Sequence, residues 1–112
     1  MSQQVYVLKL KSGEELIARI DTEYMKTTIV LDQPMGIQVM MQPQGKPGFA
    51  MIPWMMASDD KKFTIDSNEV LTKGKARNEM EKQYLSAVTG LSLWNYIKKT
   101  KLILFVTITL ID

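Results

Sequence analysis

Short segments of alternating apolar and polar residues, separated by turn-forming residues, make up most of the first 65 residues of this 112-residue chain. In the first segment Tyr6, Leu8 and Leu10 share one face, and the alternation resumes after a turn centred on Gly13. The segments, in chain order, are VYVLKL, LIARI, TTIVL, IQVMM, FAMIPWMMA and KKFTI. No long helical pattern lies between them, so we predict a mainly β fold: a small, strongly bent antiparallel barrel of five strands, at a spacing of about ten residues.

The hydrophobic pattern changes to helical spacing after residue 76. Apolar residues recur at this spacing from Met80 to Leu91, and Gly90 stands where a glycine commonly ends a helix. The sequence therefore predicts one helix over residues 77–89, which completes a domain of residues 1–92.

Residues 93–112 form an apolar tail that contains the run LILFVTITLI, in which two threonines are the only polar residues. The pattern leaves three readings open: an extra strand, a tail that binds a partner, or a segment outside the folded unit. An uncovered strand of this composition would favour aggregation. The run is too short to span a bilayer, which takes roughly 20 residues, and no secretory signal precedes the first strand. We expect a soluble, cytoplasmic protein with no membrane partner.

The chain has no cysteine and no histidine, which limits its chemistry. Disulfides, thiolate or imidazole metal sites and histidine-based catalysis are excluded. Asp59 and Asp60 are adjacent, but two neighbouring carboxylates seldom hold a metal without further ligands. We therefore expect a protein that is not an enzyme and uses neither a metal nor a cofactor.

Charge is balanced over most of the chain. Residues 1–92 hold eleven basic and eleven acidic residues, and the small net charge of +2 arises after them. A neutral domain is not the usual signature of a nucleic-acid-binding protein, so binding would require local clusters of basic residues. The candidate clusters are Lys61 and Lys62 near a turn, and Lys73, Lys75 and Arg77 ahead of the helix.

The stretch LKLKSGEELIARIDTEYMKTTIVLD, residues 8–32, resembles the first motif of the Sm/LSm family of small RNA-associated proteins. It supplies an alternating strand, a glycine at the turn and a second strand, then Tyr24-Met25-Lys26 and an apolar strand closed by Asp32. Lys26 replaces the asparagine that is usual in the family. The chain resembles divergent Sm-like proteins of marine phages, including cyanophages, and this resemblance implies the cytoplasm of a host cell.

The second motif of the family falls, by spacing, on FAMIPWMMAS, where Pro53 and Trp54 replace the usual Arg-Gly pair. Tryptophan in an apolar run more often packs in a core or between subunits than on a ligand. We expect Trp54 mainly in the core or at a subunit interface, with stacking on a base as the alternative. The helix follows the barrel here, whereas the family usually carries it before the barrel.

The resemblance implies a bent five-stranded barrel that assembles into a homo-oligomeric ring and contacts single-stranded RNA or DNA. In the family a base stacks on the aromatic or apolar residue of the first motif, a role that falls here on Tyr24. Lys26 would then meet a phosphate, and the basic clusters would repeat around the ring. In the alternative, Tyr24 packs on the barrel rim, Lys26 is merely solvated, and the ring has a structural or protein-interaction role without an RNA pocket.

Overall fold

The strands of the structure follow the alternating segments of the sequence, and one helix follows the strands. The computed structural model describes residues 3–22 and 26–99, with residues 91–99 described by their backbone alone. The elements are β1 (Gln3–Leu10), β2 (Glu15–Asp21), β3 (Thr28–Met41), β4 (Pro47–Pro53), β5 (Lys62–Asp66), β6 (Val70–Lys75) and α1 (Asn78–Lys99). A single 3-10 turn, Ser67–Glu69, joins β5 to β6. This arrangement confirms the predicted fold class, a mainly β structure with a C-terminal helix.

All strand pairs are antiparallel, and β3 is central to the topology. The strands follow the order β4, β3, β2, β1, β6, and β5 pairs with β3 as well. The first part of β3, Thr28 to Asp32, pairs with β5, whereas its last part, Met35 to Met41, pairs with β4. One long strand therefore pairs with two different strands along the same edge. This requires the bend that gives the sheet its barrel-like shape.

The bend in β3 lies in the segment DQPMG, residues 32–36, which the sequence predicts to be a break between two strands. The strand instead continues through it and bends at Gln33, whose φ of 52° lies in the left-handed region. The N–H of Gln33 donates to the carbonyl of Lys61 at 2.6 Å, and the carbonyl of Pro34 accepts from the N–H of Trp54 at 3.1 Å. Because TTIVL and IQVMM belong to one strand, the six alternating segments form five strands. β6, which the five-strand prediction omits, brings the described sheet to six strands.

Alternate residues of the strands point into two apolar clusters. The barrel cluster comprises Leu8, Leu10, Leu16, Ala18, Ile20, Ile29 and Leu31. The helix cluster comprises Val5, Ile17, Met35, Ala76, Tyr84 and Val88. Leu16 and Ile17 are adjacent in β2 and fully buried in different clusters, since successive side chains of a strand point to opposite faces. The helix therefore covers the outside of the bent sheet, and the barrel cluster fills its inside.

The predicted end of the helix is wrong. α1 begins at Asn78, one residue after the predicted start, but it continues through Gly90 to Lys99. Among the described glycines only Gly13 and Gly45 have the positive φ that an αL helix-ending glycine adopts, so Gly90 remains helical. A glycine inside a helix costs only about 1 kcal/mol relative to alanine.

The longer helix changes the description of the tail. Residues 93–99 belong to α1, and the rest of the predicted tail, residues 100–112, lies outside the described residues. Within the described ranges, no helix combines the length and apolarity that crossing a membrane requires.

The second half of β3 and β4 form a hairpin that extends beyond the barrel. We call this hairpin, residues 35–53, the arm. β4 lies at the end of the strand order, where the missing N–H of a proline is tolerated, and the strand begins and ends with one. Large apolar side chains near the tip of the arm are exposed: Val39 (64%), Met40 (54%), Met41 (72%) and Phe49 (58%).

Candidate nucleic-acid interface

An open depression of about 280 Å³ lies where the start of β3 meets the connection between β5 and β6. It is lined by Lys26, Ile29, Ser67, Val70, Thr72 and Lys73. This volume lies just below the range of roughly 300–1,000 Å³ typical of small-molecule pockets.

Strand pairing brings the two sides of the depression together. Thr28 is paired with Asp66, and the N–H of Ser67 donates to the carbonyl of Thr27 at 2.9 Å. The carboxylate of Asp66 accepts the N–H of Asn68 at 2.9 Å, which caps the 3-10 turn. These bonds fix the backbone of Ser67 beside the segment that carries Lys26.

Lys73 enters the depression from β6. It is paired with Leu8 of β1, and its ammonium nitrogen lies 5.6 Å from the centroid of the Tyr6 ring. This is the geometry of a cation–π contact, which holds an otherwise mobile side chain near one position. The register between β1 and β6 shifts between Lys9 and Leu10, and Thr72 and Lys73 follow this shift along β6.

The lining combines three kinds of group that recognise a nucleotide. Ile29, which is buried, and Val70, which is half-buried, give the depression an apolar surface on which a base can pack. Ser67 and Thr72 supply hydroxyls that donate or accept hydrogen bonds. The ammonium groups of Lys26 and Lys73 are suited to phosphate oxygens.

The structure brings together two of the residues predicted from sequence, Lys26 and Lys73. Tyr24 lies outside the described residues. Ile29, Ser67, Val70 and Thr72 are not among the predicted site residues. The signal available for them was the turn-forming run DSNE between two apolar segments, at residues 66–69.

The other predicted basic residues do not line the depression. Lys62 starts β5, opposite Asp32, and Lys61 uses its backbone carbonyl to hold the bend of β3. Lys75 ends β6, and the carbonyl of Arg77 accepts the N–H of Glu81 in the first turn of α1. All four residues are exposed, and their role in binding stays a prediction.

Trp54 follows β4 directly and packs against the barrel cluster. Its indole N–H donates to the carboxylate of Glu14 at 3.2 Å, and its ring meets Phe63 edge to face with centroids 6.4 Å apart. The spacing from the first motif places the pocket-closing pair at Pro53 and Trp54. In the structure Ser67, not that pair, lies beside Lys26, because the tip of the arm and its return strand take up the intervening residues.

The sequence has no histidine and no cysteine, so acidic side chains would have to hold a metal ion. Within the described ranges, no three of them lie close enough together to do so. Asp59 and Asp60 are both exposed, and a bond from the Asp60 N–H to the Ser58 hydroxyl at 3.0 Å orders their turn.

No curated protein matches the chain. A family model, the Sm-like domain, matches residues 7–85. The matched range includes the six strands, apart from the first residues of β1, and also the first two turns of α1. Proteins with this domain often bind RNA and form oligomers, and the family is generally non-enzymatic. The match covers well over half of the chain, which therefore belongs to the Sm-like family.

Proposed function

We propose that this protein is a non-enzymatic binder of single-stranded RNA or DNA that acts in nucleic-acid processing as a homo-oligomeric ring. The observation that carries the proposal is the depression in which Lys26 and Lys73 flank the apolar side chains of Ile29 and Val70. The cytoplasm is its proposed location, that of a host cell if the chain comes from a phage.

In this proposal a base packs on Ile29 and Val70 while the flanking phosphates meet the two ammonium groups. Base edges or the ribose hydroxyl reach the hydroxyls of Ser67 and Thr72. Contacts of this kind tolerate different sequences, because every base has an apolar face and every nucleotide a phosphate. Tyr24 stands two residues before Lys26 in the sequence, and stacking of a base on its ring remains part of the proposal.

The proposal of a ring rests on the free edges of β5 and β6, the two consecutive strands whose connection adjoins the depression. In the described part of the chain β5 pairs with β3 alone and β6 with β1 alone, so each strand has one free edge. Exposed Leu71 lies on β6. Antiparallel pairing of β5 of one copy with β6 of the next would satisfy both edges. It would also repeat the basic clusters around the ring, which compensates for the neutral charge of each copy.

The test is a titration of labelled single-stranded RNA and DNA oligonucleotides with the full chain, followed by fluorescence anisotropy at several salt concentrations. A double variant, Lys26→Gln with Lys73→Gln, should weaken binding at least about tenfold, because two charge-assisted contacts are lost. The matched control is Lys46→Gln with Lys82→Gln, which removes two exposed lysines of the arm tip and the helix. Equal weakening by both double variants would contradict the proposed site.

The competing function is a structural or protein-interaction ring without bound nucleic acid. The balanced charge of residues 1–92 favours it. The mass of the native oligomer and its ratio of absorbance at 260 and 280 nm separate the two functions. A ring that carries no nucleic acid and shows no saturable, salt-sensitive binding would support the competing function.

A further inference from the structure

The ring of Tyr6 is an aromatic surface beside the depression that the proposed function does not use. Tyr6 lies in β1 and is half-buried, with its side chain packed against the barrel cluster. The ammonium nitrogen of Lys73 lies 5.6 Å from the centroid of this ring, and Lys73 also lines the depression. A single lysine side chain therefore adjoins both the depression and the Tyr6 ring.

Strand register places a second lysine next to the ring. Tyr6 is paired with Lys75 of β6, and Lys73 is paired with Leu8, two residues farther along β1. Paired residues of antiparallel strands have their side chains on the same face of the sheet, and residues two apart in a strand share that face. Tyr6, Lys73 and Lys75 therefore lie on one face, and both lysines are exposed.

The spacing of the two lysines suits a nucleic-acid strand. Two residues along a β-strand span about 6.6 Å. This is comparable with the distance between neighbouring phosphates in an extended single strand. Lys73 and Lys75 can therefore contact consecutive phosphates, with the Tyr6 ring beside them.

The charge of these two strands favours an anion, although the domain as a whole is neutral. Neither β1 nor β6 contains an acidic residue. Together they carry three lysines: Lys9, Lys73 and Lys75. The cation–π contact of an exposed lysine is weak, so a phosphate can draw the Lys73 ammonium away from the ring.

We propose that the Tyr6 ring is a second nucleotide subsite, on which the base next to the one in the depression stacks. This inference rests on the proposed function and extends the site to two consecutive nucleotides in each subunit. The phosphate that joins the two nucleotides binds Lys73, and the next phosphate binds Lys75. In the free protein Lys73 covers the ring, and it uncovers the ring when it turns toward the phosphate.

The test measures how much the second base contributes to binding. The ligands are a dinucleotide and the two forms of it in which one base or the other is missing. Each is titrated against the full chain by isothermal titration calorimetry, and the affinity of the dinucleotide is divided by that of the tighter-binding abasic form. Tyr6→Leu removes the ring and Tyr6→Phe retains it. Phe49→Leu is the matched control, because Phe49 is an exposed aromatic residue of the arm and does not line the depression.

The second base should raise the affinity at least about tenfold in the unmodified chain, in Tyr6→Phe and in Phe49→Leu, because stacking on an aromatic ring contributes this much. In Tyr6→Leu the gain should fall below about threefold. Tyr24 is unchanged in these variants, so stacking on Tyr24 would not produce the difference. Equal gains in the unmodified chain and Tyr6→Leu would overturn the second subsite, as would an equal loss in Tyr6→Phe and Tyr6→Leu.

Failure of the second subsite is distinguishable from failure of the proposed function. If Lys26→Gln with Lys73→Gln weakens binding of the dinucleotide and Tyr6→Leu does not, the depression binds a nucleotide and the second subsite is wrong. If the double lysine variant binds the dinucleotide as tightly as the unmodified chain, the proposed function fails, and the second subsite fails with it.

Lys75→Gln tests the same path if Tyr6→Leu does not fold, because Lys75 is exposed. It should weaken binding of a dinucleotide with a phosphate at each end by at least about threefold, because one charge-assisted contact is lost. Binding of a nucleoside monophosphate, which occupies the depression alone, should not change. The control is Lys46→Gln at the exposed tip of the arm. Equal weakening of both ligands, or no weakening of the dinucleotide, would overturn the proposed path.

Discussion

The hydroxyl oxygen of Tyr84 lies 2.8 Å from the carbonyl oxygen of Gln33, the residue at which β3 bends. The carbonyl oxygen of Asp32 is 2.9 Å from the same hydroxyl, so both acceptors share its one proton. On the other side of the bend, the guanidinium of Arg19 donates to the side chain of Gln33. The helix and β2 therefore both hold the bend through polar contacts.

We predict that Tyr84→Phe lowers the free energy of unfolding by about 1–3 kcal/mol, because it leaves the partly buried carbonyls of Asp32 and Gln33 without their side-chain donor. The fold should persist, since the ring still fills the helix cluster. Urea unfolding followed by circular dichroism measures the change. Tyr6→Phe is the control, with a ring beneath Lys73 and away from the bend, and a loss as large as that of Tyr84→Phe would contradict the role of the Tyr84 hydroxyl.

Stability should fall at alkaline pH in a way that depends on Tyr84. Burial raises the pKa of the Tyr84 phenol to about 12, although the nearby Arg19 charge acts in the opposite direction. The folded chain thus holds this proton more tightly than the unfolded chain, whose tyrosines have a pKa near 10. The contribution is fully present below about pH 10 and is lost as pH rises toward 12.

The free energy of unfolding should consequently decrease more steeply over this pH range for the unmodified chain than for Tyr84→Phe. Urea unfolding of both proteins at several pH values gives the two slopes. The comparison removes the contributions of lysines and other tyrosines that titrate in the same range. Parallel slopes would show that Tyr84 titrates alike in the folded and unfolded chains.

Gly90→Ala should stabilise the protein by up to about 1 kcal/mol, because alanine is the better helix former and Gly90 is helical. Apart from its chain neighbours and the nearby helix backbone, no atom of the described residues lies within 4 Å of an added Cβ at this position. Thermal or urea unfolding measures the effect, with Gly13→Ala as the opposite case. Gly13 has a φ of +98°, so alanine there should destabilise. Destabilisation by Gly90→Ala would instead indicate that the helix ends at this glycine.

Leu71→Glu should reduce the mass of the native oligomer, if β6 forms the proposed contact between subunits. Leu71 is an exposed apolar residue on a strand with a free edge, where a carboxylate would have to be desolvated on assembly. Native mass spectrometry or light scattering measures the mass. The matched control is Leu85→Glu, which places the same charge at an exposed helical position, and a fall in mass with both variants would argue against the β6 contact.

Alternation and turn residues were sufficient to predict the local structure of the first two strands. β1 and β2 pair from Gln3–Asp21 to Lys9–Glu15, around the turn at Gly13 that the sequence indicates. In each strand one face is apolar along its length and packs in the barrel cluster, Leu8 and Leu10 in β1 and Leu16, Ala18 and Ile20 in β2, so the pattern is visible without knowledge of the rest of the fold. The resemblance in this stretch also led to the correct family.

Long-range contacts explain what the sequence did not reveal. Pro34 and Gly36 are typical turn residues, yet β3 passes through them because strands on either side supply partners for its backbone. Lys26 and Lys73 were recognised separately as basic residues. Their shared depression depends on the pairing of Thr28 with Asp66, which no local pattern encodes. Pro53 and Trp54, where the spacing places the second motif, lie at the end of the arm and do not line the depression with Lys26, because the arm takes up the intervening residues.

The bend at Gln33 also divides the molecule into a part of fixed size and a part of adjustable length. Before the bend, β3 is constrained on both sides by β2 and β5, so an insertion there would shift the register of the barrel. Beyond Gly36, β3 has β4 as its neighbour within the described sheet, and an equal change in both strands leaves the barrel pairing intact. Adding two residues to each strand would lengthen the arm by about 7 Å and keep the same side chains on each face. The arm is therefore the natural place to insert a reporter or a new binding loop into this small protein.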